Sequence, residues 1–252
     1  PVQLKNYIVH VLKGDFGVSM KMQRNRPVTT IIKEMFPISA KVGIIALAGA
    51  VLIGVPIGCI AAYNRGNWID SMLRVVTTIG VSIPGFVVAT VLLILFGSVW
   101  KILPTIGLTS WKSYIMPCFS LAFYPMCYIG RLARSSMLDV INQEYIRTAL
   151  AKGVPSVTIV FKHALRNAFI PVLTYLGPLT AYILTGGFVV ETVFNIPGLG
   201  RYFVQSIINR DYTIIMGTTI FLAAFIVIMT LVVDILYKAV DPRIDLMKGG
   251  SK

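Results

Sequence analysis

The chain has 252 residues, of which 56% are hydrophobic and only 13% are charged, and its mean hydropathy is +0.79. A soluble domain carries about 25% charged residues, so this composition excludes an ordinary soluble enzyme and indicates an integral membrane protein. A net charge of +13 is a property that nucleic-acid-binding proteins share, but the distribution of the charge argues against that class here. The 23 Lys and Arg residues lie between long apolar runs, as is usual in membrane proteins.

The N-terminal 36 residues are polar and mixed in composition, and nothing in them resembles a signal peptide. The chain starts at Pro1 rather than at a methionine. We therefore expect residues 1–36 to form an extracytoplasmic arm with short helices, and we expect the whole protein to contain a membrane span upstream of this arm.

Five runs without any Asp, Glu, Lys or Arg predict the membrane spans. They are 18 to 26 residues long, and a helix needs about 20 residues to cross a bilayer. Unbroken runs argue against a transmembrane β-barrel, whose strands alternate apolar and polar residues. The runs are Val42–Asn64, Val75–Trp100, Ser113–Gly130, Asn167–Val190 and Tyr212–Val233. The corresponding helices are expected at about residues 38–64, 73–100, 113–132, 167–190 and 212–237.

Prolines and glycines interrupt several of these runs, at Pro56, Ser82–Gly85, Pro125 and Gly177-Pro178. A proline leaves a backbone carbonyl without its helical partner, which lipid cannot satisfy. Such sites are either ordinary kinks between packed helices or parts of a water-lined pathway, and the sequence leaves both interpretations open.

The charged segments between the runs predict the orientation. Arg131–Arg166 contains six basic and two acidic residues, whereas Glu191–Asp211 is neutral. Basic segments favour the cytoplasm, so the first segment is expected inside and the second outside, with the C-terminus inside. The N-terminal Pro1–Lys41 carries seven basic and two acidic residues, which conflicts with an external arm unless an upstream span carries it across.

Two short helices are predicted within these segments. Helix-forming residues run from Glu144 to Lys152 and stop at Gly153. An amphipathic stretch, Arg201–Asn209, follows a turn that contains two glycines and a proline. The first helix lies between two spans, so it is expected to act as a rigid knob joined at both ends to membrane helices.

The sequence contains no recognisable catalytic or metal-binding pattern. His10 and His163 lie apart from any cysteine or pair of carboxylates, and no Walker A pattern is present. Asp234 and Lys238 are expected to form an interfacial pair on one helix face. The three cysteines lie within apolar runs at unrelated spacings and are expected to be buried; they are Cys59, Cys118 and Cys127.

One motif in the basic segment points to a family. It reads Tyr145-x-Arg147-Thr148-Ala149-x-x-Lys152-Gly153. It resembles the coupling loop of ABC importer permeases, in the version found in peptide and nickel permeases. The general pattern of that loop has glutamate where Arg147 stands, so either Arg147 or the displaced carboxylate Glu144 is expected to face the ATPase.

Three further stretches resemble the same family. The external loop is similar over Glu191–Arg201 and Asn209–Tyr212, and the C-terminal signature over Asp241–Ile244. The arm, with Leu12–Gly17 and Arg26–Val28, is similar to the segment after the family's first span. The resemblance covers essentially the whole chain and is strongest to the B-type permease subunit of oligopeptide and dipeptide importers, whose members have six spans.

The resemblance implies an all-α, polytopic membrane bundle with the type I ABC importer permease fold. It implies a permease domain at 37–246, with a cytoplasmic coupling loop at 139–165, an extracytoplasmic loop at 191–211 and a tail at 247–252. The expected coupling residues are Glu144, Tyr145, Arg147, Thr148, Ala149, Lys152 and Gly153. The expected external-loop residues are Glu191, Pro197, Gly198, Gly200, Arg201 and Asp211.

The resemblance also implies the partners and the mechanism. This subunit would not be an enzyme: two partner subunits would bind ATP and Mg, a homologous second permease would complete the pathway, and an extracytoplasmic binding protein would deliver peptide. The location would be the bacterial inner membrane, within the lipid bilayer. Nickel or another small substrate remains an alternative. A secondary transporter would show mid-span charges or an inverted repeat, and the sequence shows no sign of either feature. An intramembrane enzyme would show paired catalytic residues in the spans, and no such pair is evident.

The small residues Ala149 and Gly153 predict a closely packed contact with the ATPase. They lie four positions apart, on one face of the predicted helix. A glutamate at position 149 is therefore expected to block the ATPase without disturbing any span.

Overall fold

The computed structural model describes residues 2–155, 158–159 and 164–240, and this part of the chain is helical. The Asp241–Ile244 motif, His163 and the side chains of Asp234 and Lys238 lie outside what it describes. The helices are α1 (Val2–Leu12), α2 (Val28–Tyr63), α3 (Trp68–Ser82), α4 (Gly85–Leu92), α5 (Ile115–Ile141), α6 (Glu144–Ala151), α7 (Leu165–Ala168), α8 (Ile170–Leu184), α9 (Phe188–Val193), α10 (Leu199–Ile208) and α11 (Tyr212–Val240). A π-helical segment, Leu93–Val99, continues α4, and a 3₁₀ turn, Trp111–Tyr114, precedes α5.

Helix α2 is the central element of the bundle and packs along α5. Small residues recur on it at every fourth position: Ala46, Ala50, Gly54, Gly58 and Ala62. A Cβ atom on Gly54 would lie 2.6 Å from the carbonyl oxygen of Met126, and one on Gly58 would lie 2.5 Å from that of Gly130. Such a stripe of small residues lets two membrane helices approach at backbone distance.

Helix α2 begins at Val28, so residues 28–36 are the first turns of this helix and not part of the predicted arm. The helix starts earlier than predicted because residues 28–36 already carry an apolar face that packs against other helices. Val28 and Ile31 are fully buried, and they form a cluster with Leu199 of α10 and Ile214 of α11. Residues 2–12 do form the short helix that was expected in the arm.

Three helical stretches among the described residues are long and apolar enough to cross a membrane: Val28–Tyr63, Ile170–Val193 (α8 and α9 together) and Tyr212–Val233. A fourth candidate is a broken pair, Trp68–Ser82 and Gly85–Val99, bent by 98°. These four correspond to four of the five predicted spans. The remaining predicted span corresponds to α5. This helix has 27 residues but is more polar, with arginines at 131 and 134, and it is not among the helices that are both long and apolar enough.

The run that is interrupted at Ser82–Gly85 forms two helices rather than the single predicted helix at about 73–100, since α3 ends at Ser82 and α4 starts at Gly85. The other prolines behave differently: α2 continues through Pro56, α5 through Pro125 and α8 through Pro178. The fourth run is interrupted instead at Gly186, whose φ of +106° only glycine adopts readily. Residues 188–193 then form the separate helix α9.

Candidate functional site

The predicted coupling helix is present as α6, Glu144–Ala151. Gly153 ends it with a φ of +78°, a left-handed conformation that favours glycine. The last turn is closed by the backbone N–H of Lys152, which donates to the carbonyl of Thr148 at 3.1 Å. The sequence prediction of a short helix that stops at Gly153 is therefore confirmed as structure, while its role in coupling stays a prediction.

Helix α6 has one buried and one exposed face. Ile146 is fully buried in a cluster with Cys59 of α2 and Met137 of α5. The opposite face presents exposed side chains at positions i, i+3, i+4 and i+7, which share one side of a helix: Glu144, Arg147, Thr148 and Ala151. The buried face anchors α6 to the bundle, and the exposed face is available to a partner.

A side-chain hydrogen bond also joins α6 to the next helix. Asn167 of α7 donates through Nδ2 to the hydroxyl of Tyr145 at 2.8 Å. Because α7 leads directly into α8, this hydrogen bond links α6 to α8 as well as to the helices that its buried face contacts.

The structure corrects the prediction for Ala149. Its side chain is half-buried and packs against the cluster that holds Ile146, whereas Lys152 and Gly153 are exposed. Ala149 therefore faces its own chain rather than sharing an open face with Gly153, because the helix turns that side toward α2 and α5. Glutamate at this position would disturb the permease itself.

The 191–211 loop contains two buried carboxylates, and Asp211 is the first. It is fully buried at the start of α11. Its carboxylate accepts a hydrogen bond from the hydroxyl of Ser19 at 2.6 Å and from the backbone N–H groups of Lys21 and Met22, each at 3.0 Å. Burial raises the pKa of Asp211, but these hydrogen bonds outweigh it and hold the pKa at about 2. Asp211 thus binds the arm to the loop in its ionised form at neutral pH.

Glu191 is the second buried carboxylate, and it lies at the N-terminus of α10. Its Oε2 accepts a hydrogen bond from the backbone N–H of Arg201 at 3.0 Å. The neighbouring N–H of Leu199 donates to the hydroxyl of Ser39, on α2, at 2.8 Å. The first N–H groups of a helix have no partner within the helix and attract anions. Glu191 and Ser39 supply those partners here.

The glycines of the 191–211 motif make room for this carboxylate. A Cβ atom on Gly200 would lie 2.7 Å from the ring of Phe188 and 3.0 Å from Oε2 of Glu191. One on Gly198 would overlap the same carboxylate. Pro197 is exposed and Arg201 is half-buried. The structure thus brings Glu191, Gly198, Gly200 and Arg201 together, and places Asp211 in a separate contact with the arm.

The residues that complete these contacts lie outside the motifs that the sequence shows. Ser19 and Ser39 belong to no motif, and neither signals its role in the sequence. The same holds for Asp70, which is 1% exposed and pairs with Arg134 through two hydrogen bonds, of 2.6 and 2.8 Å. An aspartate within a few residues of a predicted span is a usable signal, since a buried charge requires a partner.

Comparison with known proteins identifies the family. The sequence profile described as "Binding-protein-dependent transport system inner membrane component" matches residues 54–246. The dipeptide transport system permease protein DppB of Bacillus subtilis (strain 168) is 45% identical over 244 residues, which are 97% of this chain and 79% of that protein. The glutathione transport system permease protein GsiC of Salmonella typhimurium is 41% identical over 243 residues, 96% of this chain and 79% of that protein.

The fold is shared with a solved transporter. A chain of the inward-facing MetNI methionine ABC transporter superposes with a TM-score of 0.70 at 18% identity, covering 83% of this chain and 96% of that one. The predicted type I importer permease fold is thereby confirmed. The chain belongs to the family of binding-protein-dependent transport system inner membrane components, and is a multi-pass membrane permease similar to dipeptide and glutathione permease subunits.

Proposed function

We propose that this chain is the permease subunit of an ATP-driven importer for dipeptides or short oligopeptides. It works with a homologous second permease, two subunits that bind ATP and Mg, and an extracytoplasmic binding protein that delivers the substrate. The names of its relatives support a peptide substrate. The glutathione permease among them supports a second substrate class for this chain, peptides longer than a dipeptide.

The observation that carries the coupling proposal is the two-faced structure of α6. One face is fixed to α2 and α5 by Ile146, and the other exposes Arg147 and Thr148. A partner that binds the exposed face moves α5 and α8 together, since α6 lies between these two helices in the chain. Binding of ATP by the partners then shifts the permease between two conformations, because the partners bind one of them more tightly.

Arg147→Glu tests this proposal at the exposed face. Arg147 forms no ion pair with any described residue, so the change leaves the packing of this chain intact. It places a second carboxylate three positions from Glu144, on the surface proposed to bind the ATPase. We expect peptide uptake to fall about tenfold or more, as when a central contact of an interface is lost, with less ATPase co-purifying with the permease.

Lys112→Glu is the matched control. It makes the same charge change at an exposed lysine. Lys112 lies between α4 and α5, in the segment whose Gly107 N–H donates to the carbonyl of Phe194, and not on α6. The change should therefore leave uptake unchanged. Normal uptake and normal ATPase recovery in Arg147→Glu, at equal abundance in the membrane, would refute the coupling role of this face.

A further inference from the structure

A groove runs along one face of α5, between α3 and α4 on one side and α8 and α9 on the other. Its floor is a stripe of side chains spaced three and four residues apart: Leu121, Tyr124, Tyr128, Arg131 and Ser135. This spacing places them on one helix face, and they cover about 21 Å at 1.5 Å per residue. The stripe is more polar than the surface that a membrane helix presents to lipid.

The groove contains two cavities of different chemistry. The first, of about 560 Å³, is lined mainly by apolar and aromatic side chains that include Phe86, Tyr124, Tyr175 and Tyr182. The second, of about 420 Å³, lies further along α5 and is lined by Arg74, Thr78, Tyr128, Arg131, Arg134 and Ser135. The apolar cavity can accept side chains of many shapes, and the basic one is suited to an anion.

A cluster of tyrosines connects the two cavities. The ring of Tyr128, in the basic cavity, lies 4.4 Å from the ring of Tyr175 and 6.3 Å from that of Tyr124, both of which line the apolar cavity. The hydroxyl groups of tyrosines can hydrogen-bond to a solute while their rings pack against it. The two cavities are therefore neighbouring parts of one groove.

The basic cavity has a surplus of positive charge. Asp70 is held by Arg134 in a two-point hydrogen bond and lies 3.6 Å from Nε of Arg74. Arg131 is exposed and forms no ion pair with any described residue. The cavity is thus lined by three arginines, of which two pair with the neighbouring carboxylate of Asp70, and Arg131 is the one available to a ligand.

We propose that this groove is the wall that the chain contributes to the solute pathway, and that Arg131 contacts the carboxylate of a passing peptide. This inference rests on the proposed peptide substrate and assigns the residue that selects among peptides by charge. Every peptide with a free C-terminus carries a carboxylate, and an acidic side chain adds a second. A guanidinium binds a carboxylate with charge-assisted hydrogen bonds, while the apolar cavity imposes little selection on neutral side chains.

The test is Arg131→Glu in the reconstituted whole transporter, with the peptides Ala-Glu and Ala-Lys as probes. Transport rates are measured at saturating loaded binding protein, so that capture by that protein does not limit the rate. We expect the ratio of the Ala-Glu rate to the Ala-Lys rate to fall about tenfold, because a carboxylate within a few ångströms of the solute repels one peptide and attracts the other. Arg131→Lys should keep a ratio near that of the unmodified protein.

Arg65→Glu is the control, since Arg65 is exposed in the connector between α2 and α3 and does not line the groove; its ratio should not change. An unchanged ratio in Arg131→Glu would overturn the assignment. So would an equal loss for both peptides that appears only in vesicles containing phosphatidylglycerol, which would identify Arg131 as a lipid-headgroup contact. Failure of the unmodified transporter to move either peptide would instead refute the peptide substrate itself.

Discussion

Single buried carboxylates hold distant parts of this chain together. Asp211 is the best example, since a turn of the arm wraps its backbone N–H groups around this one side chain. Ser19, also buried, completes the site through its hydroxyl. A hydrogen bond to a charged group contributes about 1.5–3 kcal/mol to the free energy of folding, and leaving a buried donor without a partner costs a similar amount. The docking of the arm therefore depends strongly on Asp211.

Asp211→Asn is expected to release the arm. The amide has one acceptor oxygen, and its NH₂ group would face the N–H groups of residues 20–22. We expect a loss of about 2–4 kcal/mol in stability, seen as a lower Tm and as faster proteolysis within residues 13–27. Asp15→Asn, at an exposed aspartate that accepts a single hydrogen bond from Gly17, should change both by much less; equal effects of the two variants would contradict this role.

The pH dependence of the docked arm follows from the same carboxylate. The pKa of Asp211 in the folded protein, about 2, lies below the usual value near 3.9. The stabilisation is therefore complete above about pH 4 and is lost as the pH falls toward 2. Proteolysis of the arm should thus be constant between pH 5 and 8.

At the scale of helices, the packing of α2 on α5 depends on side chains that are small or absent. Gly54 and Gly58 touch the backbone of α5, and the intervening core contains Ala50 and Ile129, both fully buried. Helices in lipid gain little from burying apolar surface, so close van der Waals packing must hold them together. A larger side chain on this stripe pushes the two helices apart.

Gly58→Val should therefore reduce the yield of folded permease severely. Its Cβ would approach the carbonyl of Gly130 to 2.5 Å and the Cβ of Ala133 to 2.6 Å, a clash that requires backbone movement. Gly49→Val is the comparison on the same helix, because a Cβ there meets nothing within 4 Å. Size-exclusion chromatography in detergent measures the monodisperse fraction, and similar profiles for the two variants would count against the packing argument.

At the scale of the whole molecule, α2 connects two ends with different tasks. Ser39 contacts the 191–211 loop, and Cys59 packs beneath α6. These residues are 20 positions apart, which is about 30 Å of helix and the thickness of the hydrocarbon core. We therefore expect the 191–211 loop and α6 at opposite membrane surfaces, and the charge distribution predicts which surface is inside.

Labelling with an impermeant thiol reagent in intact cells tests this orientation. In a variant without Cys59, Cys118 and Cys127, single cysteines replace the exposed residues Lys21, Arg147 or Asn209. We expect positions 21 and 209 to be labelled from outside, and position 147 only after permeabilisation, since basic segments stay in the cytoplasm. Labelling of position 147 in intact cells would reverse the orientation.

The sequence alone determined the features that depend on composition or on neighbouring residues. Low charge and long apolar runs indicated the membrane class, and local chemistry marked the interruption at Ser82–Gly85 and the end of α6 at Gly153. The motif around Arg147 gave the family, which the comparisons confirmed. These signals lie within a few turns of one helix, where periodicity and backbone preference act directly.

Only the tertiary structure decided which distant residues meet. Asp211 and Ser19 are 192 positions apart, Leu199 and Ser39 are 160 apart, and Asp70 and Arg134 are 64 apart. It also turned Ala149 toward the core, against the sequence prediction, and aligned the tyrosines and Arg131 along one groove. Burial of a charge or a small side chain is set by what packs against it in space, and helix packing brings together residues whose separation along the chain carries no local pattern.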